Sequence, residues 1–330
     1  MKKLIRFVVG ITVPAFIMAA GLASSALAQA LAVLPADGDD FRITLLGTGA
    51  PPPIMRRFGP ATLVQAGGQT LLFDAGRGVT QRLMQVPLRL GVTDKVFITH
   101  LHSDHIVGLP DLWLTGWLEA VYAQRKGPLR VWGPTGTRAL TDNLTKAFDW
   151  DIQTRVKDQK LDPANAVFST TDIVEGTVYE QGGVKVTAFA VDHGPLIYPA
   201  FGYRVDYGGR SVVISGDTRF SENLIKNAMG TDLLIHQVAA AKEELLKSPV
   251  YKVILDHHTK PEEAGVVFSR VKPKLAVYYH FVLLGTPAVP AVTEDEVVAL
   301  TRKTYDGLLL VGEDLTRFRI GKSGVDVKMP

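Results

Sequence analysis

Short apolar runs bounded by Gly, Pro or Asp alternate along the chain with longer stretches in which apolar residues recur every three or four positions. The short runs predict buried β-strands, and the longer periodic stretches predict amphipathic helices. The predicted strands are residues 41–46, 70–73, 95–99, 129–132, 184–189, 202–205, 211–214, 233–235, 275–279 and 308–311, and the predicted helices are residues 106–123, 135–147, 261–271 and 293–304. This alternation predicts an α/β sandwich with buried strands and helices outside.

Two segments of the pattern allow two interpretations each. Residues 146–180 are polar and charged with interspersed aromatic residues, so they form either a lid over a cleft or a surface subdomain. Trp113 and Trp117 lie four residues apart on a predicted helix and therefore share a face. That face either packs on the sheet or lines an apolar pocket.

The N-terminal segment has the pattern of a targeting signal. Three basic residues precede an almost wholly apolar run over residues 7–20, and Ala26-Leu27-Ala28 is a small-x-small cleavage pattern. We expect residues 1–28 to be a signal peptide, residues 29–330 to form one domain, and the mature protein to be periplasmic or secreted. The alternative is an uncleaved anchor, for which the apolar run is short because a span needs about 20 residues.

Removal of the predicted signal peptide changes the charge of the chain. Residues 1–28 hold three basic and no acidic side chains, so 36 Lys and Arg become 33, equal to the 33 Asp and Glu. Proteins that bind nucleic acid usually carry a basic excess, so no nucleic acid partner is expected. No membrane partner is expected after cleavage, and a homodimer is left open. The chain has no cysteine, which excludes disulfides and thiolate metal ligands.

Three imidazoles and one carboxylate crowd into six positions directly after the predicted strand 95–99. These residues are His100, His102, Asp104 and His105. Nitrogen and oxygen donors at this density favour a first-row divalent ion, above all zinc. Because a metal ion can activate water, the run predicts a hydrolase.

Three further ligand-type residues lie at the ends of other predicted strands. His193 follows strand 184–189, Asp217 follows strand 211–214, and His280 follows strand 275–279. A lone histidine in such a place is usually a packed side chain. Loops on a rigid scaffold can, however, bring distant residues together, and the repetition favours one shared metal site.

These residues together resemble the five-motif signature of the metallo-β-lactamase-fold hydrolases, over essentially the whole mature chain. Within that superfamily the chain is most similar to the ribonuclease Z-like branch, including its exported arylsulfatase-type members. The motifs that carry this similarity are Gly47-Thr48-Gly49-Ala50-Pro51, Ser215-Gly216-Asp217-Thr218 and His257-His258-Thr259 before Pro261-Glu262-Glu263-Ala264-Gly265. The resemblance implies a four-layer αββα sandwich of two pseudo-symmetric halves, with the metals in a cleft at one edge of the sheets.

The resemblance also implies the roles of single residues. One Zn²⁺ would be held by His100, His102 and His193, and a second Zn²⁺ by Asp104, His105 and His280, with Asp217 bridging both. Asp104 and His258 are the predicted catalytic residues, and His258 would deliver a proton to the leaving group. The sequence alone does not decide whether His258 or the neighbouring His257 is the proton donor. Asp74 is expected to orient the first histidine loop, and His236 to pack beside the site.

The function that follows is that of an exported dinuclear zinc hydrolase that uses metal-bound hydroxide to cleave an ester bond. We expect a small anionic or aromatic substrate, with aryl sulfate and phosphodiester as the favoured classes. The alternatives are a lactone or β-lactam hydrolase and a hydrolytic dehalogenase. A ribonuclease Z-type tRNA endonuclease and a non-catalytic metal-binding protein are further hypotheses.

Overall fold

The computed structural model describes residues 40–330. The predicted signal peptide lies outside the described residues, and export therefore stays a prediction. The strands are β1 Arg42–Gly47, β2 Ala61–Ala66, β3 Gln69–Phe73, β4 Lys95–Phe97, β5 Leu129–Gly133, β6 Phe168–Asp172, β7 Gly176–Gln181, β8 Val184–Val191, β9 Ala200–Tyr207, β10 Arg210–Ile214, β11 Leu233–Ala241, β12 Leu275–Leu284, β13 Leu309–Val311, β14 Arg317–Ile320 and β15 Val325–Lys328. The α-helices are α1 Val79–Leu83, α2 Ser103–Ile106, α3 Leu109–Gly116, α4 Thr137–Ala147, α5 Asp149–Asp158, α6 Glu222–Ala228, α7 Pro249–Asp256, α8 Pro261–Val271 and α9 Glu294–Thr301.

The strands form two mixed sheets with the same internal plan. The first sheet has the order β15-β14-β1-β2-β3-β4-β5-β6, and the second has the order β13-β12-β11-β10-β9-β8-β7. In each half, two strands joined by a tight turn pair antiparallel (β2 with β3, β9 with β10), and the next strand, which follows a helical connection, pairs parallel (β4 with β3, β11 with β10). The repetition of this plan confirms the two similar halves.

The core lies in three layers of contact. One apolar cluster fills the space between the sheets, where Phe73 and Phe97 of the first sheet meet Tyr203 of the second. A second cluster lies between the first sheet and its helices, and a third lies between the second sheet and helices α6 and α8. Both faces of both sheets thus carry apolar side chains that are buried from water, which confirms the predicted four-layer αββα sandwich.

The predicted helix over residues 106–123 is wrong in its extent. Helix α2 ends at Ile106, and α3 begins again at Leu109, because Gly108 and Pro110 permit a new helix start there. Helix α3 ends at Gly116, whose carbonyl accepts a hydrogen bond from the backbone N–H of Arg125 at 2.8 Å. Trp113 and Trp117 are buried in the cluster under this helix. Their shared face therefore packs on the sheet and does not line a pocket.

Residues 146–180 belong to both sheets. They contribute helix α5, a short 3₁₀ helix, and the strands β6 and β7 that form one edge of each sheet. Coverage of a cleft by this segment stays a prediction. Among residues 40–330, every helix is too short or too polar to cross a membrane.

Candidate metal centre

The seven predicted metal ligands come together at one edge of the two sheets. His100 and His102 follow β4, Asp104 and His105 lie in α2, His193 follows β8, Asp217 follows β10, and His280 lies within β12. Their ligand atoms fall into overlapping groups whose members lie within 4.8 Å of one another. Parallel strands such as β10, β11 and β12 end at the same edge, which is why residues far apart in sequence meet here.

Asp217 lies at the middle of this cluster. Its Oδ2 atom is within 4 Å of the Nε2 atoms of five histidines, and its buried Oδ1 atom has no hydrogen-bond partner among residues 40–330. The Oδ2–Nε2 distances are 3.3 Å to His280, 3.4 Å to His105, 3.5 Å to His258, 3.7 Å to His193 and 3.9 Å to His100. A buried carboxylate oxygen without a donor is costly, so its surroundings fit a cation.

The other ligand atoms form two groups on either side of Asp217. In the first group, Nδ1 of His102 lies 2.9 Å from Nε2 of His100 and 3.2 Å from Nε2 of His193. In the second group, Nε2 of His280 lies 3.2 Å from both Oδ2 of Asp104 and Nε2 of His105. Each group supplies three nitrogen or oxygen donors at the spacing that a zinc ion needs, and Asp217 can serve both.

The electrostatics of these side chains also fit a divalent ion. Burial lowers the pKa of His100 well below its usual value and that of His193 to about 4, so both rings are neutral at pH 7 and able to ligate. Burial opposes a charge on His105 as well, but the carboxylates of Asp217 and Asp74 outweigh it and raise the pKa of His105 well above its usual value. These buried carboxylates therefore stabilise positive charge beside them, which a divalent ion would supply.

Unusual backbone conformations deliver two of the ligands. Gly216 has a φ of 61°, and an added Cβ there would lie 2.5 Å from the carbonyl oxygen of Phe201, so only glycine can precede Asp217. His280 has a φ of 45° at a bulge in β12, where Tyr279 pairs with Gln237 but Phe281 pairs with Val238. The bulge turns the His280 ring towards Asp104 and Asp217, and such strain is typical of functional positions.

A shell of hydrogen bonds holds the rings in place. Oδ1 of Asp74 accepts from the backbone N–H of Thr99 at 2.8 Å, and its Oδ2 accepts from the Thr99 hydroxyl at 2.9 Å and from Nδ1–H of His105 at 2.8 Å. This agrees with the orienting role expected for Asp74. On the other side, Nδ1–H of His193 donates to the carbonyl oxygen of His257 at 2.9 Å.

We expect Asp74→Asn to lower zinc affinity about 10- to 100-fold, the usual effect of losing a partner that orients a ligand. The Oδ2 atom of Asp74 now accepts hydrogen bonds from the Thr99 hydroxyl and from Nδ1–H of His105. The NH₂ group of asparagine in that place cannot accept them, so the His105 ring would lose the hydrogen bond that orients it. Competition with a chromogenic chelator measures the affinity. Asp192→Asn is the matched control, because Asp192 also adjoins a ligand but its side chain is 60% exposed. Equal affinity of the Asp74 variant and wild type would contradict the assigned role.

The structure separates the two adjacent histidines that the sequence could not. Nε2 of His258 lies 3.5 Å from Oδ2 of Asp217, and its Nδ1–H donates to the carbonyl oxygen of Ile254 at 2.7 Å. Burial opposes a charge on this ring, but the hydrogen bond and charge of Asp217 outweigh burial and raise the pKa of His258. The His257 ring instead lies against Gly194, where an added Cβ would be 2.9 Å from it. His258 is thus the histidine that faces the centre.

His236 is buried away from the ligand groups. Its Nδ1–H donates to the carbonyl oxygen of Gln237 at 2.6 Å, and its ring packs edge-on against Phe268. Burial lowers its pKa to about 4, so the ring stays neutral. This geometry agrees with the packing role expected from the sequence.

Comparisons with known proteins place this chain in one family. The family described as beta-lactamase superfamily domain matches residues 69–281. Ribonuclease Z from Mycobacterium marinum is 38% identical over 283 residues, which are 84% of this chain and 98% of that protein.

Two solved structures share the fold. The metallo-beta-lactamase fold protein YhfI from Bacillus subtilis has a TM-score of 0.67 and 16% identity, and the match covers 85% of this chain and all of that one. Human tRNase Z, short form, has a TM-score of 0.60 and 23% identity, and the match covers 84% of this chain and 98% of that one. At these identities the likeness concerns the fold alone.

These findings correct two expectations from the sequence. The main expectation of an arylsulfatase-type hydrolase is wrong, because the relative that spans most of the chain is named ribonuclease Z. The expectation of no nucleic acid partner is wrong for the same reason. The charge argument failed physically because a net charge averages over the whole surface, whereas a polyanion responds to local groups of cations.

Proposed function

The chain belongs to the beta-lactamase superfamily, as a metallo-β-lactamase-fold hydrolase of the ribonuclease Z-like branch, and on this premise we propose that it is a metal-dependent phosphodiesterase that cleaves RNA. The observation that carries the metal dependence is the Asp217 carboxylate, which faces five imidazole nitrogens within 4 Å. The name of the 38% identical relative supports RNA as the substrate class.

Two zinc ions are the proposed cofactors. His100, His102 and His193 would hold one, Asp104, His105 and His280 would hold the other, and Asp217 would serve both. When bound, such ions activate water and stabilise the negative charge that develops on a phosphate. All of these side chains are buried except His102, so the scissile phosphate would approach from the side of His102.

His258 is proposed to protonate the oxygen that leaves when the P–O bond breaks. Its Nδ1–H is committed to the Ile254 carbonyl, so only Nε2 can carry the transferred proton. That atom points to the centre, where Asp217 stabilises its protonated form. A general acid held by such contacts contributes typically 10²- to 10⁴-fold to a rate.

Incubation of the zinc-loaded mature chain with a folded RNA that carries an unpaired extension tests this proposal. We expect cleavage of the RNA and of bis(p-nitrophenyl) phosphate, loss of both activities on chelation, and recovery on addition of zinc. Mass spectrometry under native conditions counts the bound ions. A chain that binds two zinc ions and hydrolyses neither phosphodiester would contradict the proposed function.

A further inference from the structure

A groove on the outer face of the first sheet is rich in cations. It has a volume of about 370 Å³ and lies between the hairpin β14–β15 and the loop around Pro87. Ile43 and Phe318 belong to the apolar cluster between the sheets. Because side chains alternate along a strand, Arg42 points to the opposite, outer face of the first sheet. The same alternation places four cations and one carboxylate on this face, namely Arg42, Arg317, Arg319, Lys328 and Asp326.

The pairing of these strands sets like charges directly opposite each other. Arg42 lies opposite Arg319, and Arg317 lies opposite Lys328, whereas on its other side Arg319 lies opposite the carboxylate of Asp326. Like charges at such positions destabilise a sheet. Asp40 forms ion pairs with both Arg42 and Arg319 and offsets the first repulsion. Within residues 40–330 neither Arg317 nor Lys328 forms an ion pair, so the second repulsion stands.

This groove is separate from the metal centre. Lys95 lines the groove, and His100 lies five residues further along the chain. At about 3.3 Å per residue, this extended segment is roughly 16 Å long. Asp40 already pairs with Arg42 and Arg319, but within residues 40–330 Arg317 and Lys328 have no such partner, and these two cations point to an external anion.

We propose that this basic groove binds backbone phosphates of the RNA substrate at a distance from the cleaved bond, an inference that rests on the proposed function. Cationic side chains supply most of the sequence-independent affinity for nucleic acid. Thr44, Gln65 and Thr70 lie in the same groove and offer hydrogen bonds to phosphate and sugar oxygens. A folded RNA long enough to reach from the centre to the groove gains affinity, whereas a small phosphodiester does not.

An anionic lipid surface is the alternative partner for such cations, and the shape of the groove favours RNA. The site is concave, with Val86 and Leu88 packed into its wall. A flat bilayer cannot enter a concavity, but a single phosphate backbone can. Vesicles of phosphatidylglycerol therefore provide the competing probe.

A triple variant of the groove tests the inference, with the substitutions Arg317→Gln, Arg319→Gln and Lys328→Gln. We expect its Kd for a hairpin RNA to rise about tenfold or more, and the slope of log Kd against log salt to fall by about two to three, because three phosphate contacts are lost. Fluorescence anisotropy measures binding, with the fluorophore in the hairpin loop so that trimming of the ends leaves the signal intact. Hydrolysis of bis(p-nitrophenyl) phosphate should stay unchanged, which also shows that the variant folds.

A control variant changes the net charge equally, but at exposed positions beside the second sheet, with the substitutions Arg270→Gln, Lys274→Gln and Lys303→Gln. An equal loss of RNA affinity in both variants, or no loss in the groove variant, would overturn the inference. Groove-dependent binding to the vesicles but not to RNA would also overturn it. Failure of the wild type to cleave RNA that it binds through the groove would refute the proposed function and would leave standing only the binding of RNA by the groove.

Discussion

Replacement of Asp217 by alanine should lower RNA cleavage by about 10⁴-fold or more, since catalytic groups that act as a unit cannot be removed singly at small cost. The carboxylate is buried, and its Oδ2 atom lies 3.3 Å from Nε2 of His280 and 3.9 Å from Nε2 of His100, which belong to different ligand groups. Without it the two ligand groups lose their common member. We therefore also expect the bound zinc to fall from two ions to one or none.

Metal analysis and steady-state kinetics on the same preparation measure both effects. Asp206→Ala is the matched control, because Asp206 is a partly exposed aspartate on the neighbouring strand β9 and, within the described part of the chain, pairs with Arg204 alone. Its melting temperature, activity and zinc content should stay near wild type. Asp217→Asn keeps the side-chain shape and guards against misfolding of the alanine variant. Two bound zinc ions and normal turnover in both Asp217 variants would refute the shared ligand.

Replacement of His258 by alanine should lower kcat for RNA about 10²- to 10⁴-fold while zinc content stays at wild-type level. His258 presents Nε2 to the centre, and its removal takes away the proposed proton donor. His257→Ala is the adjacent control. The His257 contact to the centre runs through its backbone carbonyl, which accepts from His193 and survives the substitution, so we expect less than a tenfold change.

The leaving group distinguishes proton delivery from a structural role. Nitrophenolate departs without a proton, so His258→Ala should slow hydrolysis of bis(p-nitrophenyl) phosphate much less than cleavage of RNA. An equal slowing of both substrates, or loss of zinc, would show that His258 supports the ligands instead of donating a proton.

Much of the fold follows from local patterns. Helix α8 begins at Pro261 and ends at Val271 as predicted, because proline and two glutamates at its start satisfy the first turn locally. The predicted helix 106–123 failed because a long-range contact to Arg125 ends α3 at Gly116. Strand β14 was missed because it is only four residues long and half of it is arginine, and its partner β1 lies more than 270 positions away.

The site was predictable where its members are close in sequence or follow apolar strands. The run from His100 to His105 is a local signal, and Asp217 directly follows a buried strand. The bulge that turns His280 inward depends on the register of β12 against β11, which no single segment encodes. The choice of His258 over His257 depends on how α7 ends and packs. The expectation of no nucleic acid partner was wrong because the net charge averages over the chain and does not report where cations gather, as they do on one face of β14 and β15.

The ligands come from both halves of the molecule. His100, His102, Asp104 and His105 follow the first sheet, whereas His193, Asp217 and His280 belong to the second. An ion bound by both sets acts as a cross-link, so its binding free energy adds to the free energy of unfolding, by about 2.7 kcal/mol at a free concentration 100 times the Kd. Zinc supply would thereby affect the stability of the native chain as well as its catalytic rate.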